Sequence, residues 1–223
     1  MIPVSVLLIS LFGMGLQSGF IFADWRRKYK LAALLKGLSS AAFVAVGFIG
    51  WSRDPDEGAA LQVALGLAAG LLGDVLLALR RVYVKAGVPF YIAGMLAFLA
   101  GHLLYFAALS GRLAGPWLPI GTGIAFAILM LLFIGKRLGT KKVLKYASAV
   151  YVTVLSVMLS ASIWNMIQNP GMKAALFMVG AALFAASDFM MLLKPKKHVL
   201  ATRVTHLVIY FIGQLLIAYS LFF

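Results

Sequence analysis

Two aspartates carry the chemistry available to this sequence. Asp74 ends the run Gly66-Leu-Ala-Ala-Gly70-Leu-Leu-Gly73-Asp74 and lies six residues before Arg80, and Asp188 lies six residues before Lys194. Each stands in an apolar stretch long enough to cross a bilayer. An ionisable side chain there costs roughly 2.5–3.5 kcal/mol on insertion scales and is a functional hypothesis by default. Two carboxyl groups brought together away from water resist double ionisation, so one keeps a proton beside the charge of the other. That pairing is a general acid next to a counter-charge. The competing reading is structural, with each acid hydrogen-bonded to hold helices together.

The elements that must position these acids follow from composition. The chain has 223 residues, of which 63% are hydrophobic and 12% charged, which excludes a soluble globular domain. Apolar runs of about 20 residues, each able to span a hydrocarbon core of roughly 30 Å as a helix, recur at 2–22, 31–51, 58–79, 89–110, 117–135, 146–167, 172–193 and 204–223. The expected fold is all-α: a polytopic bundle of eight transmembrane helices forming a single domain, 1–223. Cysteine is absent, which removes disulfides, thiolate nucleophiles and thiolate metal sites. The net charge of +14 does not point to nucleic acid, because the basic residues sit in short loops. Loops 24–30, 80–88, 136–145 and 194–203 hold four, three, five and four of them, against one in each intervening loop. The positive-inside rule therefore puts those four loops in the cytoplasm and both termini outside. The first apolar segment precedes its charges, the order of a retained helix and not of a cleaved signal. Asp54, Asp56 and Glu57 form what reads as the one acidic loop, on the outer side.

This topology sets depth. Both acids lie about 9 Å inside the cytoplasmic boundary at 1.5 Å per residue, and they read as the two membrane-embedded carboxylates. Gly66, Gly70, Gly73 and Asp74 share one helix side, which should face the bundle. Lys36, Tyr151 and Tyr210 reach the same level, with Gln17 approaching it and His102 and Gln214 lying a turn or two deeper. Lys36 either snorkels to the headgroups or acts inside, anchoring a phosphate or holding one carboxylate ionised. Tyr210 and Gln214 share a stripe with His206, which reads as interfacial. Three histidines without close ligand spacing make no metal signature, so no metal or other cofactor is expected. Trp25, Trp51, Trp117 and Trp164 read as an interfacial belt, and the fifth span as lipid-facing scaffold. A faint repeat links Ala59–Asp74 with Ala174–Asp188, and Gly101-His102-Leu-Leu with Gly213-Gln214-Leu-Leu, at offsets of 112 to 115 residues. Two halves of four spans share orientation, which puts a pseudo-twofold axis along the membrane normal.

Gly73-Asp74 in span 3, Gly101-His102-x-x-Tyr105 in span 4, Ser187-Asp188 in span 7 and Tyr210-x-x-x-Gln214-Leu-Leu-Ile217 in span 8 together resemble the lysoplasmalogenase family, the YhhN-like membrane proteins. Lys36-Gly37 looks like the family's lysine motif, although relatives more often carry proline soon after the lysine. The resemblance implies hydrolysis of the vinyl ether bond of lysoplasmalogens, or of a related ether lipid, to a fatty aldehyde and glycerophospho-ethanolamine or glycerophosphocholine. It implies Asp74 and Asp188 as the catalytic pair. Lys36, His102, Tyr105, Tyr151, Ser187, Tyr210 and Gln214 would hold substrate and water, and Lys36 with loop arginines would hold the phosphate. The expected partners are a lysophospholipid from the cytoplasmic leaflet and membrane lipids, and the expected location is a bacterial cytoplasmic membrane. The same acids could instead serve a proton-coupled transporter of a small molecule or lipid. An intramembrane aspartyl protease fits poorly, since Leu71-Leu72 precede Gly73-Asp74 where Gly-x-Gly-Asp is needed.

Overall fold

The computed structural model describes residues 2–134, 142–192 and 200–223. Among them are eight α-helices: α1 (Val4–Trp25), α2 (Tyr29–Trp51), α3 (Gly58–Val82), α4 (Gly87–Ser110), α5 (Trp117–Ile134), α6 (Lys142–Gln168), α7 (Met172–Leu192) and α8 (Leu200–Tyr219). Short 3-10 turns lie at Val84–Ala86 and Ser220–Phe222. Seven of the helices are long and apolar enough to cross a membrane. The eighth, α5, has 18 residues, a rise of about 27 Å. Its buried positions form the narrow stripe Pro119, Gly123 and Ala127, while Leu129, Leu132 and Phe133 are 61 to 74% exposed. On α1, Leu8, Leu11 and Phe12 are as open. Apolar faces of that size are suited to lipid, not water. The protein is an integral, multi-pass membrane helical bundle.

The helices pack in sequence-adjacent pairs, with α4 also against α6 and α8 against α2. The repeat is plain in what each helix buries. On α3, the buried positions Ala60, Val63, Gly66, Leu67, Gly70, Gly73 and Asp74 recur as Ala174, Phe177, Gly180, Ala181, Phe184, Ser187 and Asp188 on α7. On α2, buried Lys36, Ser40, Phe43 and Val46 recur as Tyr151, Leu155, Met158 and Ala161 on α6. On α4, buried Phe98, His102 and Tyr105 recur as Tyr210, Gln214 and Ile217 on α8. Even the closest crossings match. A Cβ at Gly101 would lie 3.0 Å from the Gly66 carbonyl oxygen, and one at Gly213 would lie 2.8 Å from that of Gly180. Small residues at these points let the helix backbones touch, which is how helices associate where lipid offers no hydrophobic drive.

The two ends of the bundle differ. At one end Glu57 pairs with Arg112 and with Lys173, whose Nζ lies 2.8 Å from Oε2. At the other, Asp24, Arg80, Arg81 and Arg203 surround the mouth of a cavity. An aromatic layer, with Phe184 against Phe98, His102 and Tyr210, and Tyr105 against Phe177, fills the bundle between.

Candidate active site

A cavity of about 190 Å³ enters the bundle at the arginine end and is lined from α1, α2, α3, α4, α6, α7 and α8. Its wall contains Lys36, Asp74, Tyr151, Ser187, Asp188 and Tyr210, six of the nine residues singled out from sequence. Lys36, Asp74 and Asp188 are each under 8% exposed. The side chains of Arg81 and Arg203 at the mouth are 37% and 36% exposed, so the space runs from the protein surface down to the acids.

The surroundings of the two acids differ. Oδ2 of Asp74 accepts hydrogen bonds from Ser40 Oγ at 2.5 Å and Tyr210 OH at 2.8 Å. Lys36 Nζ stands 3.2 Å from the same oxygen. That approach is an ion pair and not an aligned hydrogen bond, for the N–H donors of Lys36 have no partner among the described residues. The ammonium also lies 4.5 Å from the centre of the Tyr210 ring and 5.5 Å from that of Phe20, both within cation–π range. Lys36 thus does not snorkel but stands beside Asp74 inside the cavity. Of the internal roles open to it, the geometry favours counter-ion to a carboxylate.

Asp188 meets a phenol. Its Oδ2 accepts from Tyr151 OH, and the same hydroxyl is 3.2 Å from His102 Nε2. A phenol has one proton to give. With Tyr151 donating to an ionised Asp188, His102 must be the Nε2–H tautomer donating to Tyr151; with Asp188 protonated and donating, every bond in the chain reverses. His102 Nδ1 has no partner among the described residues.

Three expected residues stand behind the wall. His102, Tyr105 and Gln214 are each about 1% exposed and do not line the cavity. Tyr105 OH donates to Gln214 Oε1 at 3.0 Å, and His102 reaches the cavity only through Tyr151. Ser187 lines the wall, but its hydroxyl donates to the His206 carbonyl oxygen at 2.8 Å and ties α7 to α8. Gln17 links α1 to its neighbours, donating to Leu207 O and accepting from Ser39. His206, read as interfacial, lines the cavity. Lys194 and His198 lie outside the described residues.

Asp24 corrects the reading of two membrane-embedded carboxylates. It lies within α1, is 4% exposed and lines the cavity. Arg81 and Arg203 both pair with it. Ending the first span at residue 22 had put it in a loop. The signal was present all the same: Ser10, Gln17 and Asp24 repeat every seven residues and all lie on the buried face of α1. Ser40 was missed likewise, one turn beyond Lys36 on the same face of α2.

Fold and cavity together define a polytopic membrane protein with a carboxylate-lined, arginine-mouthed chamber. A model of the YhhN family matches residues 31–221, nearly the whole chain, and the protein belongs to that family. No curated protein and no solved structure matches it.

Proposed function

We propose that this YhhN family member is a membrane hydrolase that cleaves the vinyl ether bond of lysoplasmalogens, 1-alkenyl-glycerophosphoethanolamine or -choline. The products are a fatty aldehyde and the glycerophosphodiester. The family includes lysoplasmalogenases. The observation that carries the reading is the unequal pair in one cavity, Asp74 beside an ammonium and two hydroxyl donors, Asp188 beside a phenol alone. A buried charge persists where it is paired and hydrogen-bonded, so Asp74 is suited to remain a carboxylate and Asp188 to carry the proton.

Vinyl ethers are cleaved by acid. Asp188 gives its proton to the alkene carbon remote from the ether oxygen, which leaves an oxocarbenium ion stabilised by the Asp74 charge. The division of labour is that of a glycosidase pair. Water adds to the cationic carbon and returns a proton to Asp188. The resulting hemiacetal breaks its bond between carbon and the glycerol oxygen, which takes up the hydroxyl proton, so aldehyde and alcohol are released with one water consumed. Lys36, with unpartnered donors, and Tyr210 are placed to orient that water. The substrate enters from the cytoplasmic leaflet of a bacterial cytoplasmic membrane.

The test uses purified protein with a lysoplasmalogen and its saturated alkyl-ether analogue, scored for aldehyde. Conversion of the first alone is expected. In detergent no gradient exists, so a proton-coupled transporter would release no aldehyde, and that outcome would refute the hydrolase reading.

A further inference from the structure

The Asp24 cluster has more cation than a structural tie requires. One carboxylate, 3% exposed at its side chain, holds Arg81 from α3 and Arg203 from α8. Arg80 lines the same mouth with its guanidinium 5.2 Å from the centre of the Tyr91 ring. Two guanidiniums hold one acid and a third lines the same mouth, leaving a net positive rim above a chamber whose deeper charges are already matched in part by Lys36. A buried ion pair is poor evidence for stability, whereas arginines held with fixed forks are suited to a bidentate oxyanion. Each guanidinium has five N–H donors, and the Arg81 and Arg203 side chains are about a third exposed, so donors remain for a second anion.

We propose that Arg81 and Arg203, oriented by Asp24, form a phosphodiester subsite at the mouth of the cavity, with Asp24 as the positioning residue. The spacing fits the proposed substrate. Asp74 and Arg81 are seven residues apart on α3, a rise of about 10 Å. In a lysoplasmalogen, six bonds separate the reacting ether carbon from phosphorus, about 7 Å when extended at ~1.2 Å per bond. A hydrogen bond of about 3 Å completes the distance. A lipid seated this way keeps its phosphate at the protein surface and its vinyl ether beside the acids. Asp24 precedes the segment matched by the family model, so the clamp joins a helix outside that match to two inside it.

This inference rests on the lysophospholipid reading, and its test avoids turnover so that the two can fail separately. The probes are an uncleavable 1-O-alkyl-lysophosphocholine and the uncharged 1-O-alkylglycerol, with binding in micelles read by competition against a fluorescent alkyl-lysophospholipid. The wild-type protein should bind the phosphodiester about tenfold to a hundredfold more tightly than the alcohol. Arg203→Gln and Arg81→Gln should each remove most of that preference and leave alkylglycerol binding unchanged. Asp24→Asn should do the same, with Asp24→Glu restoring part of it. If wild type shows no preference, or if the variants weaken both probes equally, the cluster is a helix tie and the proposal falls. Inorganic phosphate displacing the fluorescent lipid as well as the lysolipid does would also overturn it, since the anion site would then not read a lipid. Where vinyl ethers prove active, the matching result is a raised KM for lysoplasmalogen in Asp24→Asn with kcat held within about twofold, and an equal fall in both parameters contradicts positioning.

Discussion

Lys36→Met tests whether the charge of Asp74 depends on its partner. The methionine keeps length and apolar bulk but removes the ammonium 3.2 Å from Oδ2 in a setting where Lys36 is 4% and Asp74 6% exposed. At an effective dielectric of 20, two unit charges at that separation attract by about 5 kcal/mol. Removing the lysine also removes the cost of burying it, so a net loss of about 3–5 kcal/mol is the expected range for an orphaned buried charge. Asp74 then either burdens the fold or takes a proton and ceases to face the cation as an anion. In the second case kcat should fall by about 10²–10³, as when one preorganised electrostatic partner is deleted, with KM little changed. The assay pairs aldehyde release with thermal unfolding in detergent for Lys36→Met, Asp74→Asn and the double variant. The double variant has no orphaned charge, so its unfolding midpoint should return toward wild type while its activity stays lost. A single variant with normal midpoint and normal kcat would refute the reasoning, as would a double variant no more stable than Lys36→Met.

Asp188→Asn removes the proton donor at near-constant volume and should lower kcat by about 10²–10⁴, the range for general acid catalysis, in a protein that still inserts and folds; circular dichroism with steady-state rates checks both. Tyr151→Phe deletes the single hydroxyl on Asp188 and uncouples His102, so kcat should fall about tenfold or more with KM retained. Gly213→Ala would bring a methyl 2.8 Å from the Gly180 carbonyl oxygen, a backbone atom that cannot swing aside. It should lower the unfolding midpoint, and the charge-neutralising mouth variant Arg203→Gln, which leaves Asp24 paired with Arg81, should not.

Helix number, order and depth were legible because apolar length and loop charge encode them directly. Lys36, Asp74, Tyr151, Asp188 and Tyr210, read at one depth from the sequence, line one cavity. Depth along a helix says nothing about how far a side chain stands from the cavity across the bundle. His102, Tyr105 and Gln214 lie on the buried faces of α4 and α8, yet His102 packs against the rings of Tyr151 and Phe184, and Tyr105 and Gln214 bond to each other instead of lining the open space. Helix ends are the weakest part of a hydropathy reading, and Asp24 was lost through a three-residue error at the end of α1. Its arginine partners come from α3 and α8, and no local pattern in either helix announces that meeting.

The repeat gives a reason why two matched acids should act differently. Lys36 on α2 reaches Asp74 on α3, and Tyr151 on α6 reaches Asp188 on α7, the same relation 114 to 115 residues later. Tyr210 on α8 donates to Asp74, while its counterpart Phe98 on α4 has no hydroxyl to offer Asp188. Three substitutions between halves, lysine for tyrosine, tyrosine for phenylalanine and serine for leucine, thus supply Asp74 with an ammonium and two hydroxyl donors and leave Asp188 a phenol alone. Exchanging them tests this directly. Tyr151→Lys with Phe98→Tyr and Leu155→Ser would give Asp188 the surroundings of Asp74, two compensated carboxylates and no proton donor, and aldehyde release should fall as far as in Asp188→Asn. Retained activity would mean that the local partners do not set which acid holds the proton.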